Sequence, residues 1–390
     1  MARKKTSALI ALVMVFAVLL AACGSTTNNT AEQTSTESSV QNASTQPAAT
    51  QSDATQPAVK TGFKMALLDG TNQNAWRTQC EDEMNQLADQ LKTQGIITKY
   101  DTFVANNDPT LQAQQMEQLV NAGVDAIFIN PVSATALTPV IEKAIAKNIL
   151  VFGIDQHINH PKVISVTNDQ YKWAQIQAEW LVKQINGKGN IFWFDAIKGA
   201  PASDIRSQAF KDVLDKNPGI KVLKQVNGDW DEGKGKQLMQ QLTSTFPDYD
   251  AVLTQDGNAV GILSAVQEAG KPLPKAITSD EIVQYIKLWH DINTKNPDNK
   301  LNAIIVENPP GIGADAMKIA VRLLQGKKLK DSSLTSDAGD PGNKNALMIT
   351  PELIITNDNL EEYYQKYKDA NDNSYIDNIL TDEQIDQYFQ

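Results

Sequence analysis

Apolar stretches of strand length recur along this chain, and each ends in a polar or acidic residue with a helix-length segment behind it. Met65-Ala-Leu-Leu68 runs into Asp69-Gly-Thr-Asn72-Gln-Asn74-Ala-Trp76-Arg77, and Val124–Ile129 stops at Asn130-Pro131. Ile149–Ile154 stops at Asp155, and the runs at 251–254, 276–278 and 301–306 lead to Asp256, Asp280 and Glu307. Short apolar strands alternating with helices predict a parallel sheet covered on both faces. In an open α/β sheet a ligand sits beyond the carboxyl ends of the strands, where loops and helix N-termini converge. The polar strand ends therefore belong to one cleft.

The helices announce themselves by their ends. Asp108 is a capping residue followed by Pro109 at a first helical position, and Gly123 is a C-terminal stop. Leu137, Val140, Ile141, Ala144 and Ile145 share one helix face. Further helices are predicted over 170–186, 203–215, 233–245, 258–269, 281–292 and 311–325, with strands at 190–194 and 219–225. The run from 63 to 330 holds about nine such units, more than one ordinary sheet carries, so two lobes are expected. Residues 331–345 read as a polar loop, 346–356 as a last strand crossing between lobes, and 357–390 as an acidic, mostly helical tail.

The N-terminus is an address. Residues 1–22 have a basic start at Arg3, Lys4 and Lys5, then an apolar run from Ala8 to Leu20. That is a secretory signal, too short for an ordinary membrane span. Leu20-Ala-Ala-Cys23-Gly24 resembles a bacterial lipobox, which implies lipid attachment at Cys23 and an extracytoplasmic protein anchored to the bacterial cell membrane. Residues 23–61 are Ser, Thr, Gln, Asn, Ala and Pro with almost no large apolar side chain, the composition of a flexible tether. Cys80 is then left as a free thiol packed like a small apolar residue. The formal net charge of −11 becomes more negative once the leader is removed, which argues against nucleic acid and against a membrane contact through the folded body.

The ordered landmarks resemble the type I periplasmic binding proteins, in the ribose-binding branch of sugar receptors that serve ABC transporters. They are Asn74-x-Trp76, Ile129-Asn-Pro131, Gly153-Ile-Asp155, Ser203 to Phe210, Gly228-Asp-Trp230, Thr254-Gln-Asp-Gly257, Ser279-Asp280 and Glu307-Asn-Pro309. The resemblance covers about 64–330. It implies two Rossmann-like lobes joined by a three-strand hinge, the first from 62–168 plus 308–345 and the second from 169–307 plus 346–356. It implies a monosaccharide or small polyol in the cleft, an ABC permease as partner, and a monomer. Carried over by position, the ligand-binding residues are Asn74, Trp76, Arg77, Asn130, Asp155, Arg206, Trp230, Asp256, Asp280 and Glu307. The chain departs from the ribose-binding pattern at Gln156, at Trp76-Arg77 and at Glu307, and it is one residue shorter near Asp256.

These residue types suit a sugar. Carboxylates, amides and Arg satisfy hydroxyls, and aromatic planes cover C–H faces. Trp76 and Trp230 are the aromatic candidates, whereas Trp173, Trp180, Trp193 and Trp289 fit the core. No cofactor is expected. His157 and His160 lack enough convergent donors for a metal, and Asp369-x-Asn371-x-Asn373 lacks the Gly and Glu of a calcium loop. No phosphate loop and no nucleophilic triad appears, so the chain reads as a receptor and not an enzyme. The alternative is a chemosensory or signalling receptor of the same fold that binds an autoinducer or a nucleoside.

Overall fold

The computed structural model describes residues 60–133, 135–255, 257–349 and 353–390. The leader, Cys23, the tether up to residue 59 and Asp256 lie outside the described residues.

The chain forms two α/β lobes. In the first, β1 (Phe63–Asp69), α1 (Ala75–Thr93), β2 (Ile97–Val104), α2 (Pro109–Ala122), β3 (Ala126–Asn130), α3 (Thr138–Ala146), β4 (Leu150–Ile154) and β5 (Ile164–Asn168) follow in order. The second holds α4 (Gln170–Gln184), β6 (Gly189–Asp195), α5 (Pro201–Asp215), β7 (Ile220–Asn227), α6 (Glu232–Thr245), β8 (Ala251–Thr254), α7 (Ala259–Glu268), β9 (Ala276–Ser279), α8 (Val283–Lys295) and β10 (Ala303–Val306). Then come α9 (Ile312–Leu324), the hairpin β11 (Thr335–Asp337) and β12 (Asp340–Ile349), β13 (Ile354–Ile355), α10 (Leu360–Tyr367) and α11 (Asp382–Asp386). The sheets run β11-β12-β5-β4-β3-β1-β2 and β13-β10-β9-β8-β6-β7. The neighbouring pairs from β2 to β12 and from β7 to β10 are parallel, and β11 and β13 add antiparallel edges.

The predicted caps are in place. The Asp108 side chain accepts from Thr110 N and Leu111 N, Pro109 opens α2, and Gly123 closes it with φ 66°. Against α1, Gly313 of α9 leaves no room for a side chain, since a Cβ there would sit 2.7 Å from Cys80 Sγ. Cys80 is buried in this contact, and burial pushes its thiol well above the ordinary range.

The polar loop and the last crossing strand are divided differently from expectation. Residues within 331–345 form the β11–β12 hairpin, and Ala346–Ile349 pair in parallel with Ser165–Asn168 of the first sheet. Among the described residues of 346–356, only Ile354–Ile355 join the second sheet, antiparallel to β10. The apolar run Ala346-Leu-Met-Ile349 thus extends the first sheet past β5, a strand that the sequence pattern left unassigned. The chain passes between the lobes after β5, after β10 and after β12.

Asn308 ties these passages together. Its Oδ1 accepts from Asn168 Nδ2 and Gln170 Nε2, each at 3.2 Å. Its Nδ2 donates to Asp155 Oδ1 at 3.0 Å, and its backbone N–H to Glu281 Oε1 at 2.8 Å. Its carbonyl accepts the Trp76 indole N–H at 2.6 Å.

The tail is anchored on both lobes. His290 Nε2 lies 2.9 Å from Glu361 on the second lobe, and Arg322 pairs with Asp382 and Asp386 on the first. Between them Leu380 N donates to Asp315 Oδ1 at 3.0 Å, and Gly311 N to Asp377 Oδ1 at 2.7 Å. Ile376, Leu380, Ile385 and Phe389 are buried there. Among the described residues no helix is long and apolar enough to cross a membrane.

Two predictions follow from these contacts. Asn308→Ala leaves amides of Asn168 and Gln170 and the Asp155 carboxylate short of a buried partner, so denaturant unfolding should show a loss of about 2–4 kcal/mol. A loss below about 0.5 kcal/mol, the level of an ordinary surface change, would contradict this role. Burial, reinforced by Asp377, raises the Glu83 carboxyl to about 8. Burial also raises Asp315 to about 8 against the nearby Lys318, and lifts Asp377. These groups hold protons in the folded state that the unfolded chain releases near its ordinary carboxyl range. The stability they give is complete below that range and fades as pH rises toward about 8. The melting temperature should therefore fall from pH 5 to pH 9, and Glu83→Gln should flatten the fall. A melting temperature that climbs over this window would contradict the assignment.

Candidate functional site

In the first sheet the strand order reverses between β1 and β3, and in the second between β6 and β8. Crevices open at such points beyond the carboxyl ends of the strands. Asp69 and Asn130 are register partners at the first of them.

Asn74 caps α1, its side-chain oxygen accepting from Arg77 N at 2.9 Å. Arg77 is buried and donates through Nη1 to Asp69 Oδ1 at 3.0 Å. Burial raises Asp69 to about 6 even though Arg77 pulls the other way. Trp76 is 6% exposed and packs in the core with its N–H on Asn308 O, so protein covers most of its ring. Asn130 accepts from Gln156 Nε2 at 2.6 Å. On its other side Gln156 Oε1 accepts from Ala202 N of the second lobe at 3.4 Å.

Asp155 adopts φ 62°, a left-handed conformation uncommon for a residue with a side chain. Its surroundings over-determine it. Asp155 N donates to Val166 O, its carbonyl accepts from Thr167 Oγ1 at 2.7 Å, and its carboxylate accepts from Gln170 and Asn308. Strain held in this way clusters at ligand sites. Gln170 Oε1 in turn accepts from Arg206 Nε at 2.7 Å. The Arg206 guanidinium lies 3.9 Å from the Trp173 ring and donates to Gln255 O at 3.0 Å. A cation near a helix start needs such partners, because the helix dipole opposes it.

On the second lobe Asp280 follows β9 and is buried, with Gly257 N donating to its Oδ2 at 3.1 Å. The neighbouring Glu281 is fully buried, and burial together with Asp280 raises its carboxyl well above the ordinary range. Trp230 sits in a left-handed turn at φ 55°, and its buried Nε1–H has no hydrogen-bond partner among the described residues. Glu307 accepts from Leu353 N at 3.1 Å, which ties it to the last passage between the lobes.

Two adjoining cavities lie between the lobes. One of about 390 Å³ is lined by Thr71 and Asn74 of the first lobe and by Ile197, Asp229 and Trp230 of the second. The other, about 180 Å³, is lined by Asn74, Trp230, Gly257 and Asp280. Of the residues predicted from sequence, the structure brings Asn74, Trp230 and Asp280 to these walls. Asp155 and Arg206 are buried in one polar network through Gln170, Asn130 is buried against Gln156, and Trp76, Arg77 and Glu307 bond Asn308 O, Asp69 and Leu353 N. The amides Gln170, Gln255 and Asn308 complete that network and Gln156 holds Asn130; sequence reasoning named none of them as a site residue, although Gln156 stood out as a departure and Gln255 and Asn308 lie inside landmarks. Otherwise their signal was position only, since each lies within two residues of a landmark or strand end.

Among the described residues no three of His, Cys, Asp or Glu converge to hold a metal ion. His157 Nε2 faces Asp340 at 3.3 Å and His160 Nε2 faces Glu142 at 3.0 Å. What the site offers is a two-sided clamp of polar groups with the aromatic residues Trp230 and Tyr375 in its lining.

Proteins that resemble this chain include named solute-binding proteins. A ribose import binding protein of Bacillus subtilis is 29% identical over 228 residues, which is 58% of this chain and 72% of that protein. A xylitol-binding protein of Mycolicibacterium smegmatis is 32% identical over 170 residues, 43% of this chain and 49% of that protein. The crystal structure of an ABC transporter solute binding protein from Thermobispora bispora superposes with a TM-score of 0.73 at 25% identity, covering 83% of this chain and 94% of that one. A Bacillus halodurans solute binding protein with bound myo-inositol shares the fold, with a TM-score of 0.65 at 23% identity over 80% of this chain and all of that one. The family model of the periplasmic binding protein domain matches residues 65–328, and the chain belongs to that family of solute-binding proteins.

Proposed function

We propose that this protein is the receptor of an ABC importer and that it captures a monosaccharide or polyol between its lobes. The observation that carries the reading is the pair of facing walls. Asn74 from the first lobe and Trp230 and Asp280 from the second line one cavity. A sugar gives hydroxyls to the amide and carboxylate and a C–H face to the indole.

Behind the walls, Asp155 and Arg206 act as ligand groups held in position by Gln170, with Asn130 held by Gln156. Asp256, which lies outside the described residues, is proposed as a further ligand group on the grounds of the sequence resemblance alone. Arg77 and Trp76 stiffen the loop that carries Asn74, and Glu307 serves the hinge. No bond is broken. Contacts that only the closed form can make drive closure, and both lobes together then face the permease. The boundary between the lobes is best set so that Ala346–Ile349 stay with the first. Cys23 carries lipid, the tether spans from membrane to body, and the protein works as an extracytoplasmic monomer. The polyol and sugar specificities of the named relatives support this ligand class.

A ligand that binds only the folded state raises the melting temperature by mass action. Thermal unfolding against pentoses, hexoses and polyols should give at least one clear rise. A flat panel, with no sugar released on denaturation and detected by mass spectrometry, would contradict the reading. With the ligand identified, Asp155→Ala and Asp280→Ala should each weaken binding by about 2–4 kcal/mol, roughly thirty- to several-hundred-fold in Kd. Wild-type affinity in either variant would remove that residue from the site.

A further inference from the structure

The tail beyond Asn357 lies outside the stretch 65–328 that matches the family model, yet it forms part of the cleft wall. Asn373 and Tyr375 line the same cavity as Asn74, Trp230 and Asp280. A further cavity of about 580 Å³ adjoins it, sharing Gln73, Asn74 and Asn373. This outer groove runs between α1, with Asp82 and Gln86, and the tail loop at Asn371–Ser374.

The tail loop is fixed from both sides. On the second lobe, Val283 N and Gln284 N donate to Ser374 O at 2.8 Å and Asp372 O at 2.9 Å. These are the first two residues of α8, whose capping residue Ile282 makes no side-chain bond. The tail therefore satisfies orphan donors of the helix that follows Asp280. Lys287 Nζ donates to Ala370 O at 2.6 Å and to Asp372 Oδ1 at 2.7 Å. On the first lobe, Tyr375 N donates to Gln79 Oε1 at 2.8 Å, and Gln79 Nε2 returns a bond to Tyr375 O at 3.3 Å. A segment held in this way is a built surface.

The groove's chemistry is that of hydroxyl recognition, with amides, hydroxyls and carboxylates and no large apolar side chain.

We propose that the tail loop Asn371–Tyr375 and α1 form a second subsite beside the sugar cleft, so that the preferred ligand carries a second hydroxylated ring or a glycosidic substituent. The inference rests on the carbohydrate reading of the cleft and extends it. Asp82 and Gln86 are exposed residues of α1 that line the groove but not the inner cavity. Asp82→Trp and Gln86→Trp therefore block the subsite from its far side.

The test is calorimetric titration of free monosaccharides, their methyl and aryl glycosides, and disaccharides, with the wild type and both variants. Unliganded melting temperatures serve as the control for folding. The expected result is a glycoside or disaccharide bound about tenfold or more tightly than its free sugar by the wild type, about 1.4 kcal/mol. Either Trp variant should abolish that gain and leave free-sugar affinity within about twofold. Free sugars that bind with no gain from any glycoside, or a gain that survives both Trp variants, would overturn the subsite and leave the sugar cleft standing. Absence of binding by every sugar and glycoside would overturn both.

Discussion

The structure depends on one buried amide. Asn308 uses its side chain on Asn168, Gln170 and Asp155, and its backbone on Glu281 and Trp76. These partners lie at the ends of strands and the starts of helices in both lobes. An amide that both donates and accepts is well suited to such a place, because each neighbour is a polar group that burial would otherwise leave unsatisfied. From this point order spreads outward. Asp155 is held in its left-handed turn, Gln170 is oriented, and Arg206 is fixed through Gln170. Groups of this kind lose little freedom when a ligand arrives, which is the physical content of a preorganised site.

Much of this was legible in the sequence, and the reason is periodicity. Parallel strands buried on both faces leave short apolar runs, and the chemistry of the cleft requires each run to end in a polar residue. Asn130, Asp155 and Asp280 stand buried at the strand ends where that pattern placed them, and the Asp108 cap and the Gly123 stop bounded their helix as expected. The rule failed where burial is uneven. β12 opens with the polar stretch Asp340–Asn345 before its apolar end, so it read as loop followed by crossing strand. β5, Ile-Ser-Val-Thr-Asn, alternates apolar and polar residues, so it lacks the continuous apolar run that marked the other strands.

The second layer of the site was less legible. Gln156, Gln170, Gln255 and Asn308 carry no local signature, because an amide that supports a carboxylate looks in sequence like any surface amide. Trp76 shows a related limit. An aromatic after the first turn reads as a ligand face, and no spacing argument shows that its N–H also reaches Asn308 O across 232 positions of chain. Distance in sequence of that kind is invisible to spacing arguments. The tail shows the same limit. Its acidic composition was legible, but only the folded chain shows that Ser374 and Asp372 cap α8 and that Asn373 reaches the cleft.

The central claim is that ligand is held by both lobes at once, so that binding and closure are one event. Small-angle X-ray scattering of the protein, titrated with whichever sugar gives the largest rise in melting temperature, measures this directly. The account predicts a fall in the radius of gyration that saturates together with calorimetric binding. Full calorimetric saturation with an unchanged radius of gyration would contradict it, and would place the ligand on one lobe alone.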